Sequence, residues 1–415
     1  MRSYLARLVM SVAAVVVIAS LPILAGCGGE ETVRAKLVVG ALDDLTGRSG
    51  EAVRGTYEGY LSYFDFAKET GLLPSGLSVE FVTYDTRGEA SRMPIGYKWM
   101  MGQDVSVVWA SPHHAEIVRS SFESDEIPFF CGSGMFSLLD SQWFFSAYGP
   151  PGAQIEILMR WIGDNWDYAA EGRLPKIGMV TLAGVPYYDE QVDVALDWID
   201  QHPADFDLLG VEYAPTTTTV WSGEILRLKQ SDFLFTIMSG PPLATFVKES
   251  RTRGYENKLC GPYESLLGQW DVLSKFVPID YLDGLLATNY QPWWDDNCAF
   301  ITELKQYTQS ILSPEEFEAA QERTYRVTGW QWGMILVDAI SRAADRVGIE
   351  NIDGPSLRDA LAETDMDADG FGNTWNVEMG VRNCFAYTVR LMDYSASEKR
   401  WASISDWYRP VALGG

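Results

Sequence analysis

From Lys36 onward the chain alternates short apolar runs with amphipathic helical stretches, and this alternation restricts the fold more than any other feature. The first unit sets the pattern. Leu37–Ala41 is an apolar run, Asp43–Gly50 is a polar turn bearing glycine, and a helix is expected from about Glu51. A strand this apolar suits the buried centre of a parallel sheet. Ligands of open parallel sheets sit beyond the carboxyl ends of the strands, which places Asp43–Gly50 at a site. Further strands are expected at Leu77–Tyr84, Val105–Ala110, Ile127–Cys131 and Trp143–Tyr148, the last running into Gly149-Pro150-Pro151-Gly152. After that break a second series follows at Lys176–Leu182, Phe206–Tyr213, Asp232–Met238, Lys258–Cys260 and Tyr281–Thr288, with helices between. The pattern then turns helical, with a long helix over Val327–Val347. It closes on strands at Thr374–Val377, Phe385–Met392 and Trp401–Ser405. Two βα series with a returning tail predict an α/β protein of two doubly wound, three-layer lobes.

The first 26 residues read as an export signal. Arg2 and Arg7 precede the largely apolar Leu8–Leu24, and Leu24-Ala25-Gly26-Cys27 follows. These last four residues resemble a bacterial lipobox, which makes Cys27 the expected lipidated residue and 27–35 a tether. Acyl chains would hold the protein on a membrane outside the cytoplasm. Removing Arg2 and Arg7 takes the formal charge from −25 to −27. That balance excludes nucleic acid as a partner, because binding phosphates takes clustered Lys and Arg. Four cysteines remain, Cys131, Cys260, Cys298 and Cys384, which allow three pairings or buried free thiols.

In order and spacing the chain resembles the branched-chain amino-acid binding proteins of ABC importers, with the type 1 periplasmic binding fold. The pieces are VVGALDDLTGRSG, VEFVTYDTRGEASR, VSVVWASPHH, IPFFCGSG, KIGMVTLAGVPYYDE, DFLFTIMSGPP, LCGPYE, RTYRVTGWQWGMILVDAISRA and GNTWNVEMGVRNCFAYTVRLMD. The resemblance implies a three-crossing hinge, with 36–149 and 288–366 in lobe one and 150–287 and 367–415 in lobe two. It implies capture of a small molecule between the lobes and delivery to permease subunits. It also places ligand contacts on Ser111, His113 and His114 after the third strand, on Ser133 after the fourth, and on Tyr187. The acidic residue that meets an ammonium falls on Tyr263, with Glu264 adjacent.

Other chemistry is thin. The three histidines include the neighbours His113 and His114, which do not share a helix face and so make a poor metal pair. No nucleophile elbow or phosphate loop is present, and no catalytic residue or cofactor is expected. Asp365, Asp367 and Asp369 with Gly370 match the start of a calcium loop, but position twelve is Asn376; a weak calcium site and a solvated acidic turn both fit. Trp109, Tyr187, Tyr263 and Trp294 fall at strand ends or cleft-facing loops, which suggests an amino acid, an amide or an aromatic acid as ligand. A ligand sensor of the same fold is the alternative to an importer component.

Overall fold

The computed structural model describes residues 33–413 except 48, 111, 257, 322 and 368–374, and of 112–114 the backbone alone. Cys27 lies outside the described residues. The first series forms β1 (Ala35–Asp43), β2 (Leu77–Asp85), β3 (Val105–Ala110), β4 (Phe129–Cys131) and β5 (Phe144–Tyr148). The second forms β6 (Lys176–Leu182), β7 (Asp207–Ala214), β8 (Phe233–Ile237), β9 (Lys258–Gly261) and β10 (Leu286–Asn289). The tail adds β11 (Asp365–Met366), β12 (Trp375–Asn376), β13 (Cys384–Ala386), β14 (Arg390–Ser395) and β15 (Arg400–Ser403).

Two large sheets result. One has the order β13-β5-β4-β3-β1-β2 and is parallel throughout; the other runs β15-β14-β10-β9-β8-β6-β7. In the second, β14 and β15 are antiparallel additions to a parallel body. In β1 the last seven residues are buried in succession, because helices cover both faces of the strand. The edge strand β2 buries none of its residues fully. The expected fold class is the one observed.

The chain passes between the sheets after β5, after β10 and after β13. The last crossing differs from expectation. The apolar stretch Phe385–Met392 reads as one strand, but it is two: β13 pairs with β5 in the first sheet, and β14 pairs with β10 in the second. Residues 367–415 therefore do not all belong with the second sheet, and the crossing lies at 387–389 rather than at 366. Hydrophobicity cannot separate these halves, since both are buried and only their partners differ. The second crossing likewise follows Asn289, because β10 belongs wholly to the second sheet.

None of the four described cysteines is in a disulfide, and all four are buried. Burial pushes each of the thiols Cys131, Cys260 and Cys384 upward, the last to about 12. Such thiols are poor nucleophiles.

The helix Tyr325–Val347 lies directly against the helix Gly50–Glu69 of the first sheet. Their backbones meet at glycines. A Cβ on Gly329 would sit 2.1 Å from the Thr56 carbonyl oxygen, and one on Gly59 would sit 2.8 Å from that of Arg326. Here backbone, not a flexible side chain, is the obstacle. Gly329→Ala should therefore force the helices apart and cost about 1–3 kcal/mol in denaturant unfolding. Gly223→Ala, whose Cβ meets only the flexible end of Arg227 at 3.3 Å, should stay within about 0.5 kcal/mol of wild type.

Candidate functional site

In each sheet the strand order reverses beside the first strand of its series, between β1 and β3 and between β6 and β8. A crevice opens at such a point beyond the carboxyl ends. Asp43 ends β1 and Trp109 lies near the end of β3. Across the gap, Tyr187 and Tyr188 open the helix Pro186–Gln201 after β6, and Ser239 follows β8. The Tyr188 and Ser239 hydroxyls share a hydrogen bond of 2.6 Å.

Between the sheets lies a cavity of about 90 Å³. Asp43, Ser49, Thr56, Trp109 and Tyr148 line it from the first lobe, and Tyr263, Glu264 and Gln269 from the second. The helix Tyr325–Val347 contributes Tyr325, Thr328 and Trp332. The turn after β1 is held by Asp44, whose carboxylate accepts from the Gly47 N–H at 2.6 Å and the Ser49 N–H at 2.8 Å. Trp332 reaches the site because Gly132 has no side chain: a Cβ there would stand 2.4 Å from the indole. The glycines around Ser133 thus serve close packing of an aromatic wall.

Behind the cavity a polar network joins the crossings. Gln154, fully buried, accepts from the Tyr263 N–H at 2.8 Å and the Thr288 hydroxyl, and donates to Glu264 at 2.7 Å. Tyr290, just past the second crossing, lies 3.3 Å from Glu264 and also donates to the Gly149 carbonyl at the first. The rings of Tyr148 and Tyr290 stack with centroids 4.3 Å apart, and Tyr263 meets Tyr148 edge-on. Depth within the protein pushes Glu264 up to about 7, against the opposing pull of hydrogen bonds from Gln154, its own backbone N–H, Ser133 and Tyr290. None of these donors is charged.

The structure brings four expected residues into this network. Ser133 and Tyr187 share a hydrogen bond of 2.8 Å that spans the two lobes. The Tyr263 hydroxyl pairs with Thr328 at 2.7 Å, and both residues line the cavity, as Glu264 does. Ser111 lies outside the described residues. His113 and His114 belong to a 3-10 turn over Pro112–Val118, not an α-helix, and their side chains lie outside the described residues. Trp109 lines the cavity as expected. Trp294 does not: its indole N–H donates to the Arg323 carbonyl, and it borders a separate cavity of about 250 Å³ with Trp270 and Trp401. Asp365 sits in β11 against Asn376, whose side-chain oxygen accepts from Arg382; Asp369 lies outside the described residues. Sequence reasoning missed Gln154, Tyr290, Thr328 and Trp332, all of which sit inside regular elements or crossings that only the topology brings to the cleft.

A family model for periplasmic binding proteins matches residues 36–391. No curated protein matches the chain. Among solved structures, a branched-chain amino-acid ABC transporter protein from Thermus thermophilus with bound valine is 15% identical, with a TM-score of 0.76, over 91% of this chain and 97% of that one. A fatty-acid ABC transporter substrate-binding protein from Thermomonospora curvata is 13% identical, with a TM-score of 0.73, over 93% and 95%. A solute-binding protein from R. palustris in complex with benzoate is 16% identical, with a TM-score of 0.72, over 92% and 99%. Identities this low establish a shared fold and leave the ligand open. With two doubly wound lobes, three crossings and a cavity at their junction, the chain belongs to the periplasmic binding protein family and has its type 1 fold.

Proposed function

We propose that the chain is the extracytoplasmic substrate-binding component of an ABC importer, tethered through Cys27 and capturing a small molecule between its lobes for a permease. One observation carries this reading. The cavity is walled by both lobes at once, and elsewhere the Ser133–Tyr187 hydrogen bond joins one lobe to the other. A site divided in this way is complete only when the lobes meet, so ligand and closure stabilise each other. The backbone N–H of Phe136 donates to Glu190 at 2.9 Å, a second link across the cleft. The solved structures of this fold, described as holding valine or benzoate, support ligand capture rather than catalysis as the role of the cleft. A sensor would use the same closure and differ only in its partner.

Native mass spectrometry of the protein equilibrated with a small-molecule extract should show one retained adduct, and small-angle scattering should show a smaller radius of gyration when it is bound. An unchanged radius at saturation would count against closure. Tyr263→Ala removes a ring from the cavity wall and the hydroxyl partner of Thr328. It should weaken retention of that molecule tenfold or more, about 1.4 kcal/mol by calorimetry. For the tether, mass spectrometry of membrane-extracted protein should find an acylated amino terminus at Cys27; an unlipidated end elsewhere would refute it.

A further inference from the structure

We propose that Arg323 governs closure from outside the cavity: it supplies the counter-charge that lets Asp271 of the second lobe be buried against the first. This rests on the reading of the cleft as one that closes on a captured molecule, and adds the group that decides how firmly the lobes hold. Asp271 stands in the first turn of the helix Trp270–Phe276, just past the loop that carries Tyr263 and Glu264. Arg323 belongs to the stretch between the second and third crossings, just before the helix Tyr325–Val347. Their side chains meet at 3.0 Å across the lobe boundary. The Trp294 indole donates to the Arg323 carbonyl at 2.8 Å and so fixes the backbone from which the guanidinium reaches. Neither Asp271 nor Arg323 lines the cavity.

The pair is unequal. The Asp271 side chain is 6% exposed and that of Arg323 53%. A carboxylate stripped of water and left without a partner is costly, whereas a guanidinium still in water loses little when its partner goes. As the lobes meet, Asp271 gives up water and takes Arg323 in exchange. The exchange is incomplete, because burial outweighs the pull of Arg323 and holds Asp271 up at about 6. The charged aspartate therefore resists closure, and Arg323 limits that resistance. Among the described residues, the other charged groups facing Asp271 are Glu51 of the helix Gly50–Glu69 and Lys275 of its own helix. These two pair with each other at 3.4 Å, but both are about half exposed, and such a pair contributes little. The Tyr325 phenol beside Asp271 is pushed up by burial and stays neutral. A neutral side chain of the same shape at position 271 would close more tightly and let a captured molecule go more slowly. Aspartate with arginine keeps the closed state reversible.

Scattering of the full chain titrated with the small-molecule extract tests this, read as the extract concentration that gives half of the contraction. Arg323→Gln leaves the buried carboxylate without its counter-charge and should raise that concentration at least about fivefold. Asp271→Asn removes the charge that resists closure and should not raise it at all. The double variant should follow Asp271→Asn, which separates a burial effect from a loss of attraction or of folding. Acid supplies a further readout. The closed state takes up a proton at Asp271 that the open state, with a solvated carboxyl, does not. Between about pH 8 and pH 5 wild type should therefore gain about tenfold in ease of closure relative to Asp271→Asn.

Half-contraction of Arg323→Gln within about twofold of wild type overturns the proposal. So does an Asp271→Asn variant as hard to close as Arg323→Gln, since the pair would then act by simple attraction. If wild type contracts and both variants match it, only the role of Arg323 falls and capture stands. If wild type never contracts, closure itself fails and this proposal with it.

Discussion

The side-chain amide of Gln154 is the point on which the rest of the molecule turns. It lies in the first turn of the helix Pro151–Asn165, directly after the first crossing, and is wholly buried. Its oxygen accepts from the Tyr263 backbone and from Thr288 at the second crossing, so its nitrogen must face Glu264. The amide has no freedom to flip without stranding buried donors, at about 1–3 kcal/mol for each one left unpaired. One neutral group therefore fixes where the loop after β9 meets the backbone of two crossings. The loop then delivers Tyr263 and Glu264 to the cavity.

Much of this was legible in the residues. The apolar runs of β1, β3 and β6 and the break at Gly149–Gly152 define two parallel series, and the turn after β1 does lie at the cavity. The hidden parts share a physical cause. Periodicity reports whether a residue is buried, not which sheet buries it, so the passage from β13 to β14 through Tyr387–Val389 read as one strand. In the same way Thr328 and Trp332 belong to a helix whose apolar face looks like ordinary core. The glycine contacts with the helix Gly50–Glu69, and the space that Gly132 leaves for Trp332, bring that face to the cleft. The resemblance puts the acidic position on Tyr263 with Glu264 adjacent, and leaves open which of the two side chains turns inward. Both do, the tyrosine toward Thr328 and the carboxyl toward Gln154.

The strongly negative formal charge is distributed unevenly in its consequences. Most carboxylates are on solvated surface, where pairs such as Lys36–Glu80 contribute little. Glu264 is different because burial strips solvent from its carboxyl and its donors are neutral. The same residue type thus has an ordinary acidity outside and a raised one within, and burial separates the two.

The buried thiols carry a consequence for how the chain reaches this state. Cys131 in β4 and Cys384 in β13 both stand level with Ser146 of β5, one on either side. Two strand spacings put them about 9–10 Å apart, beyond the roughly 7 Å that a disulfide can span. The finished protein cannot join them, but an unfolded chain in an oxidising compartment can. Any such bond would have to break before β5 could insert between its neighbours. Sheet closure and thiol oxidation are therefore in a race, and a chain of this design gains from folding quickly or from meeting a disulfide reductase on the way.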